Sequence, residues 1–334
     1  MREAAFLKQN SEKWKELERA LDPVARGGAG RSIDPDRLAR WFVELTDDLS
    51  YARTFYPQSA TTRYLNDLTR TAHQAIYRNK RERKGRIVTF WREELPRELY
   101  RARRELLYAL VIFLMAASIG ALSAAGDESF IRLILGDSYV NTTLENISNG
   151  DPMAIYKSGG EVDMFLMITF NNIRVAFMAF AAGLLISFGT LYILFFNGVM
   201  LGAFQYFFYQ KGLLLTSVLA IWIHGTLEIS AIVIAGAAGL TMGNSILFPG
   251  TYTRTRSFVI GARRGMKIAV GLVPIFIMAG FLESFVTRHS SVSSVLSASI
   301  IIVSLAFVVG YFIYYPAVLE RRLSTTANGA DKES

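Results

Sequence analysis

Two side chains open the problem. In "AIWIHGTLEISAIVIAGAAGL", residues 220–240, His224 and Glu228 interrupt a stretch apolar enough for a lipid bilayer. Titratable groups in such a setting are costly and mark function or a polar contact between helices. Four residues apart on a helix, the two share one face. The same face continues through Ala231, Ala235 and Gly239, a stripe that lets another helix approach closely. Other polar groups sit at comparable depth: Asn171, Asn172 and Arg174 within one turn of an earlier apolar stretch, Asn197 in the next, and Glu283 in "AGFLESF".

These residues admit three kinds of chemistry. Arg174 paired with Glu228, with His224 and the asparagines completing the hydrogen bonds, would make a polar clasp between helices, because a buried charge without its partner costs about 3–5 kcal/mol. The same groups could instead line an ion or solute route, with Gly183, Gly189, Gly198 and Gly202 suiting interrupted helices. Thirdly, His224, Glu228 and Glu283 could hold a divalent metal whose bound water hydrolyses a substrate, although the HExxH signature is absent. The clasp is the simplest of the three. Neither a catalytic residue nor a required cofactor follows from these spacings, and a divalent metal stays open.

The elements that must position these groups are helices. Apolar stretches of about twenty residues, the length that crosses a hydrocarbon core of roughly 30 Å, fall at 105–125, 164–187, 189–210, 213–240, 267–287 and 294–318. The fold class is therefore all-α, a polytopic membrane protein with about six spans. The pair at 164–210, separated only by Ser187–Thr190, also admits a re-entrant arrangement. Gly198 and Gly202, with Gly225 and Gly239, are the candidate helix-packing positions.

Basic residues set the orientation. Of the 36 Lys and Arg residues, 23 lie in residues 1–104, six of them between Arg78 and Arg86, and the 243–267 loop holds five with no acid. With six crossings these segments and Arg321–Arg322 fall on one side, predicting cytoplasmic termini in a bacterial inner membrane. The 126–163 loop, rich in acids, belongs outside as a docking surface. The chain has no cysteine, which removes disulfide and thiolate chemistry. No cleavable signal peptide is evident at the N-terminus.

Residues 1–104 read as a cytoplasmic helical domain, 105–322 as the membrane domain and 323–334 as a tail. Ser11 is the expected cap of a first helix carrying Trp14, Leu17 and Leu21, and Asp34 that of a second carrying Leu38, Trp41, Phe42, Leu45 and Leu49. Tyr64, Leu65, Leu68 and Ala72 stripe a third, so a small bundle is expected. The basic, aromatic stretch before the first span, with Arg97, Arg101, Arg103 and Arg104, is expected at the lipid surface. No nucleic-acid module accompanies the charge, so nucleic acid is not an expected partner.

"TFNNIRVAFMAFAAGLLISFGTLYILFFNGVMLGAF", "HGTLEISAIVIAGAAGL", "PGTYTRTRSF" and "AGFLESFVTR" together resemble the bacterial stage II sporulation protein M family, and "YLNDLTRTAHQAIY" and "FWREELP" resemble its non-sporulation branch. The matching positions are Asn171, Asn172, Asn197, Gly198, His224, Gly225, Glu228 and Glu283, to which the family assigns no chemical role. The resemblance implies a membrane scaffold for envelope-remodelling enzymes, a neighbouring MoxR-type ATPase system, and envelope proteins as partners. Small-residue stripes inside the membrane make a homo-oligomer an expectation as well.

Overall fold

The computed structural model describes residues 2–25, 35–78, 85–154, 160–287 and 293–330, all helix, turn or loop. It divides into two units, Met1–Arg86 and Ile87–Ser334.

The first unit is three helices, α1 (Glu3–Ala25), α2 (Pro35–Phe55) and α3 (Ala60–Arg78). Their apolar stripes meet in one core of Phe6, Trp14, Leu17, Leu21, Leu38, Leu45, Leu49, Leu65 and Leu68. Because Phe6 extends the α1 stripe by two turns, the helix begins at Glu3 and Ser11 lies inside it rather than capping it. Asp34 lies outside the described residues. Trp14 is 2% exposed and its indole Nε1 donates to Asp48, 2.8 Å away. Trp14→Ala should therefore cost about 3–5 kcal/mol, read as a fall in the urea midpoint of this unit in the full chain.

Tyr64 on α3 donates its hydroxyl to Glu18 at 2.8 Å. Burial, reinforced by that carboxylate, pushes the phenol up from 10.0 to about 12. The folded unit thus holds the proton more tightly than the unfolded chain. That stability is complete below pH 10 and is lost as pH rises towards 12. Tyr64→Phe should flatten this alkaline loss in a pH series of melts.

The second unit contains six helices long and apolar enough to cross a membrane: Arg103–Gly126, Glu161–Leu184, Phe188–Gln210, Leu214–Leu247, Arg254–Thr287 and Ser294–Thr325. In chain order its elements are α4 (Leu95–Arg101), α5 (Arg103–Gly126), α6 (Glu128–Leu135), α7 (Asp137–Ser148), α8 (Glu161–Ala181), α9 (Phe188–Gln210), α10 (Leu214–Leu247), α11 (Arg254–Gly271), α12 (Val273–Phe281), α13 (Ser294–Val308) and α14 (Tyr315–Ala330). A helix apolar on all sides belongs at the centre of a bundle. That place falls to α10, which is buried almost continuously from Ile221 to Leu227 and from Ala231 to Gly243.

Close approaches run along glycines. A Cβ on Gly198 would meet the Phe113 carbonyl oxygen at 2.6 Å, one on Gly202 would overlap the Ala117 carbonyl, and one on Gly120 the Val199 carbonyl, so α5 and α9 touch backbone to backbone. Gly239 seats against the Ala179 carbonyl in the same way. The second and third spans are separate full-length helices. Between them Ile186 and Ser187 take left-handed backbone (φ 53° and 69°), which reverses the chain without a long loop. Thr190 closes the turn by donating to the Ala179 carbonyl at 2.7 Å.

Two segments differ from their sequence expectation. Residues 127–154 form α6 and α7, whose Ile131 and Val140 bury with Phe207, Phe208 and Ile221 and cap one end of the bundle. The stretch before the first span turns the apolar face of α4 to protein instead of leaving it free for the lipid surface. Leu95 and Leu99 of α4 bury with Ile268, Leu272 and Phe312. Glu98 accepts from Arg264 Nε at 3.0 Å, Glu94 pairs with Lys267 at 2.7 Å, and the Tyr311 hydroxyl donates to the Trp91 carbonyl at 2.6 Å. The apolar face of α4 meets protein, which places the division between units at Arg86 rather than at residue 104. Arg101, Arg103 and Arg104 stay exposed, while Arg97 is half-buried, 3.8 Å from Glu93.

Candidate functional site

The site begins on α10. One helical turn separates His224 from Glu228, so both project to the same side. His224 is 4% exposed. Opposite them, the fifth span widens after α12 into a π-helical turn, Leu282–Thr287. Wide turns of this kind redirect side chains and recur at functional sites. Here the turn carries Glu283, 8% exposed, into the bundle, where its Oε2 lies 3.8 Å from His224 Nε2. One ligand-type atom from each of His224, Glu228 and Glu283 can be chosen so that all three lie within 4.8 Å of one another.

The same π turn supplies Thr287, whose hydroxyl sits 3.2 Å from His224 Nδ1. An imidazole whose Nδ1 is engaged by a hydroxyl is fixed in orientation, which turns Nε2 towards the carboxylates. Sequence reasoning missed Thr287, because its approach depends on the wide turn rather than on any spacing.

His224, Glu228 and Glu283 line a cavity of about 580 Å³. Its polar wall is Asn171, Asn172, Asn197, His224, Glu228 and Glu283, and its larger apolar wall includes Phe113, Ile168, Leu201, Phe204 and Ile232. Ile134, Leu135 and Tyr139 of the α6–α7 cap border it too. His224 lies ten residues into α10, about 15 Å along the axis at 1.5 Å per residue, and Glu283 is four residues from the end of the fifth span. The cavity therefore occupies the half of the bundle nearer the cap.

Six of the seven expected polar-cluster residues thus come together, and Arg174 does not. Asn172 is buried and faces the cavity, whereas Arg174, two positions on, is exposed. Two residues of helix rotate a side chain by about 200°, so both could not point inward. Among the described residues no acidic group lies within salt-bridge reach of Arg174, and the expected clasp with Glu228 is not formed. Asn197 lines the cavity while its Nδ2 donates to the Ile193 carbonyl at 2.8 Å. The Asn172 amide sits beside the Glu228 carboxylate, yet its buried Nδ2 meets no acceptor at hydrogen-bond geometry.

Of the expected packing glycines, Gly198, Gly202 and Gly239 are contact points and Gly225 is not. The nearest atoms to a Cβ on Gly225 are 3.8 Å away, in Ile221 and Ile229, and Gly225 borders the cavity. Gly236 and Gly243, not singled out from the sequence, are seated instead against Leu194 and Ser187.

Comparison with known proteins completes the description. Residues 4–78 match a domain of unknown function, DUF8413. No curated protein and no solved structure matches the chain. Residues 109–288, more than half of the chain and the stretch that holds every group on the polar wall of the cavity, match the stage II sporulation protein M family. The chain is a multi-pass membrane protein and belongs to the stage II sporulation protein M family.

Proposed function

We propose that this protein is an intramembrane metal-dependent hydrolase in which His224, Glu228 and Glu283 hold a divalent cation. One observation carries the reading: the three side chains converge on a cavity instead of closing into the dry contact that a purely structural clasp requires. Two carboxylates this close in a low-dielectric setting repel strongly unless a cation or a shared proton lies between them, and the imidazole beside them adds a third metal-ligand atom. One imidazole and two carboxylates suit zinc, which in catalytic sites takes three protein ligands and keeps a position for water. A zinc ion held there would supply a water activated at neutral pH for hydrolysis, with His224, Glu228 and Glu283 as its ligands. The basic distribution supports an inner-membrane location with both termini cytoplasmic, and with that orientation the cavity would lie in the outer half of the bilayer.

Zinc content of the purified full chain tests this reading. One zinc per chain is expected after incubation and dialysis, with loss in Glu228→Gln and Glu283→Gln of unchanged melting temperature. No zinc in the wild type, or equal zinc in all three, would overturn it.

A second reading, the scaffold of an envelope complex, is favoured by the α1–α3 unit, which has a core of its own and matches a separate domain. Cross-linking in native membranes should then recover envelope enzymes, an ATPase or further copies through residues 4–78. Recovery of none would count against it.

A further inference from the structure

Three residues lining the cavity are exposed on the outside of the bundle: Met167 and Asn171 on the second span, and Met200 on the third. The cavity therefore opens sideways, between these two helices, towards the bilayer. Met167 and Met200 are 68% and 47% exposed, and flexible thioethers suit a mouth that must accept chains of varied shape. Asn171 puts an amide at the same opening.

Arg174 lies one turn further along the same face. Long side chains of a helix lean towards its N-terminus, over the residues three and four positions earlier. For Arg174 these are Phe170 and the mouth residue Asn171. A guanidinium exposed in mid-span with no acidic partner among the described residues is stabilised by an anion beside it, and its planar fork matches phosphate. Acyl chains bring such an anion to this depth. A peptide segment would bring no obligatory negative charge, and free phosphate would gain nothing from the apolar wall.

We propose that a lipid with a phosphate-bearing head enters the cavity sideways between the second and third spans, with Arg174 holding the phosphate at the mouth. The proposal rests on the cavity being the working site. It makes the substrate class an anionic amphiphile whose head reaches His224, Glu228 and Glu283 while its chains stay in the bilayer past Met167 and Met200.

The test is native mass spectrometry of the full chain released from nanodiscs of phosphatidylcholine doped with phosphatidic acid. The wild type is expected to retain phosphatidic acid in preference to phosphatidylcholine, and excess inorganic phosphate should not displace it. Arg174→Gln removes a charge that contacts no acid among the described residues, so it should fold with unchanged melting temperature. It should lower retention about tenfold, the scale of one charge-assisted hydrogen bond. Met200→Trp, which narrows the mouth, should lower it too, while Ile302→Trp on the exposed face of the sixth span should not. Equal retention of the two lipids, indifference to Arg174→Gln, displacement by inorganic phosphate, or a retained peptide in place of lipid would each overturn the proposal. Zinc measured on the same samples separates the two readings. Zinc without selective retention sinks the lipid inference alone, and selective retention without zinc sinks the metal reading alone.

Discussion

Gly202→Val is expected to destabilise the membrane unit strongly. At this position a Cβ would overlap the carbonyl oxygen of Ala117 and lie 2.8 Å from the Ala121 nitrogen. Both are backbone atoms, so no rotamer change relieves the clash and α5 must move away from α9. Overpacking that well-packed helices cannot absorb costs about 3 kcal/mol or more, a large part of the total stability of a folded domain. A thermal melt should fall by at least roughly 6–12 °C for a domain of this size. Gly225→Ala is the contrast. Its nearest neighbours at 3.8 Å leave ordinary van der Waals room, and replacing glycine inside a helix gains up to about 1 kcal/mol. Its melting temperature should hold or rise, although the new methyl borders the cavity.

The second large effect concerns metal affinity. Removing a hydrogen-bond partner of a ligating histidine typically costs about 10–100-fold in affinity. Thr287→Val should therefore weaken zinc binding by about that factor, because the hydroxyl 3.2 Å from His224 Nδ1 is what orients the ring. His224→Gln removes the proposed ligand itself and should exceed a hundredfold. A competition titration with a chelator of known affinity gives both numbers. Thr287→Ser, which keeps the hydroxyl, should restore most of the loss. If Thr287→Val binds as tightly as the wild type, the contact is only structural.

How much of this was legible in the sequence follows from what each feature depends on. Span length and hydropathy are local, so all six spans were readable, as were the stripes of α1–α3. The i, i+4 spacing of His224 and Glu228 fixed their common face without any partner. Arg174 was misread because charge balance was weighed without helical phase, and phase puts it opposite Asn172. The convergence of Glu283 with His224 depends on the wide turn Leu282–Thr287, which no residue pattern announces. Gly202 and Gly225 look alike in sequence. Only the neighbour across the interface, the Ala117 carbonyl for one and the cavity for the other, tells them apart. The docking of α4 likewise needed a partner surface, with Gly271 making room for Leu95.

X-ray absorption at the zinc edge of the metal-loaded full chain bears on the reading most directly. Coordination by nitrogen and oxygen alone, at about 2.0–2.2 Å, with one imidazole that disappears in His224→Gln, is the predicted spectrum. The chain has three histidines, so a spectrum with two or more imidazoles, or one unchanged by His224→Gln, would place the ion elsewhere and contradict the assignment.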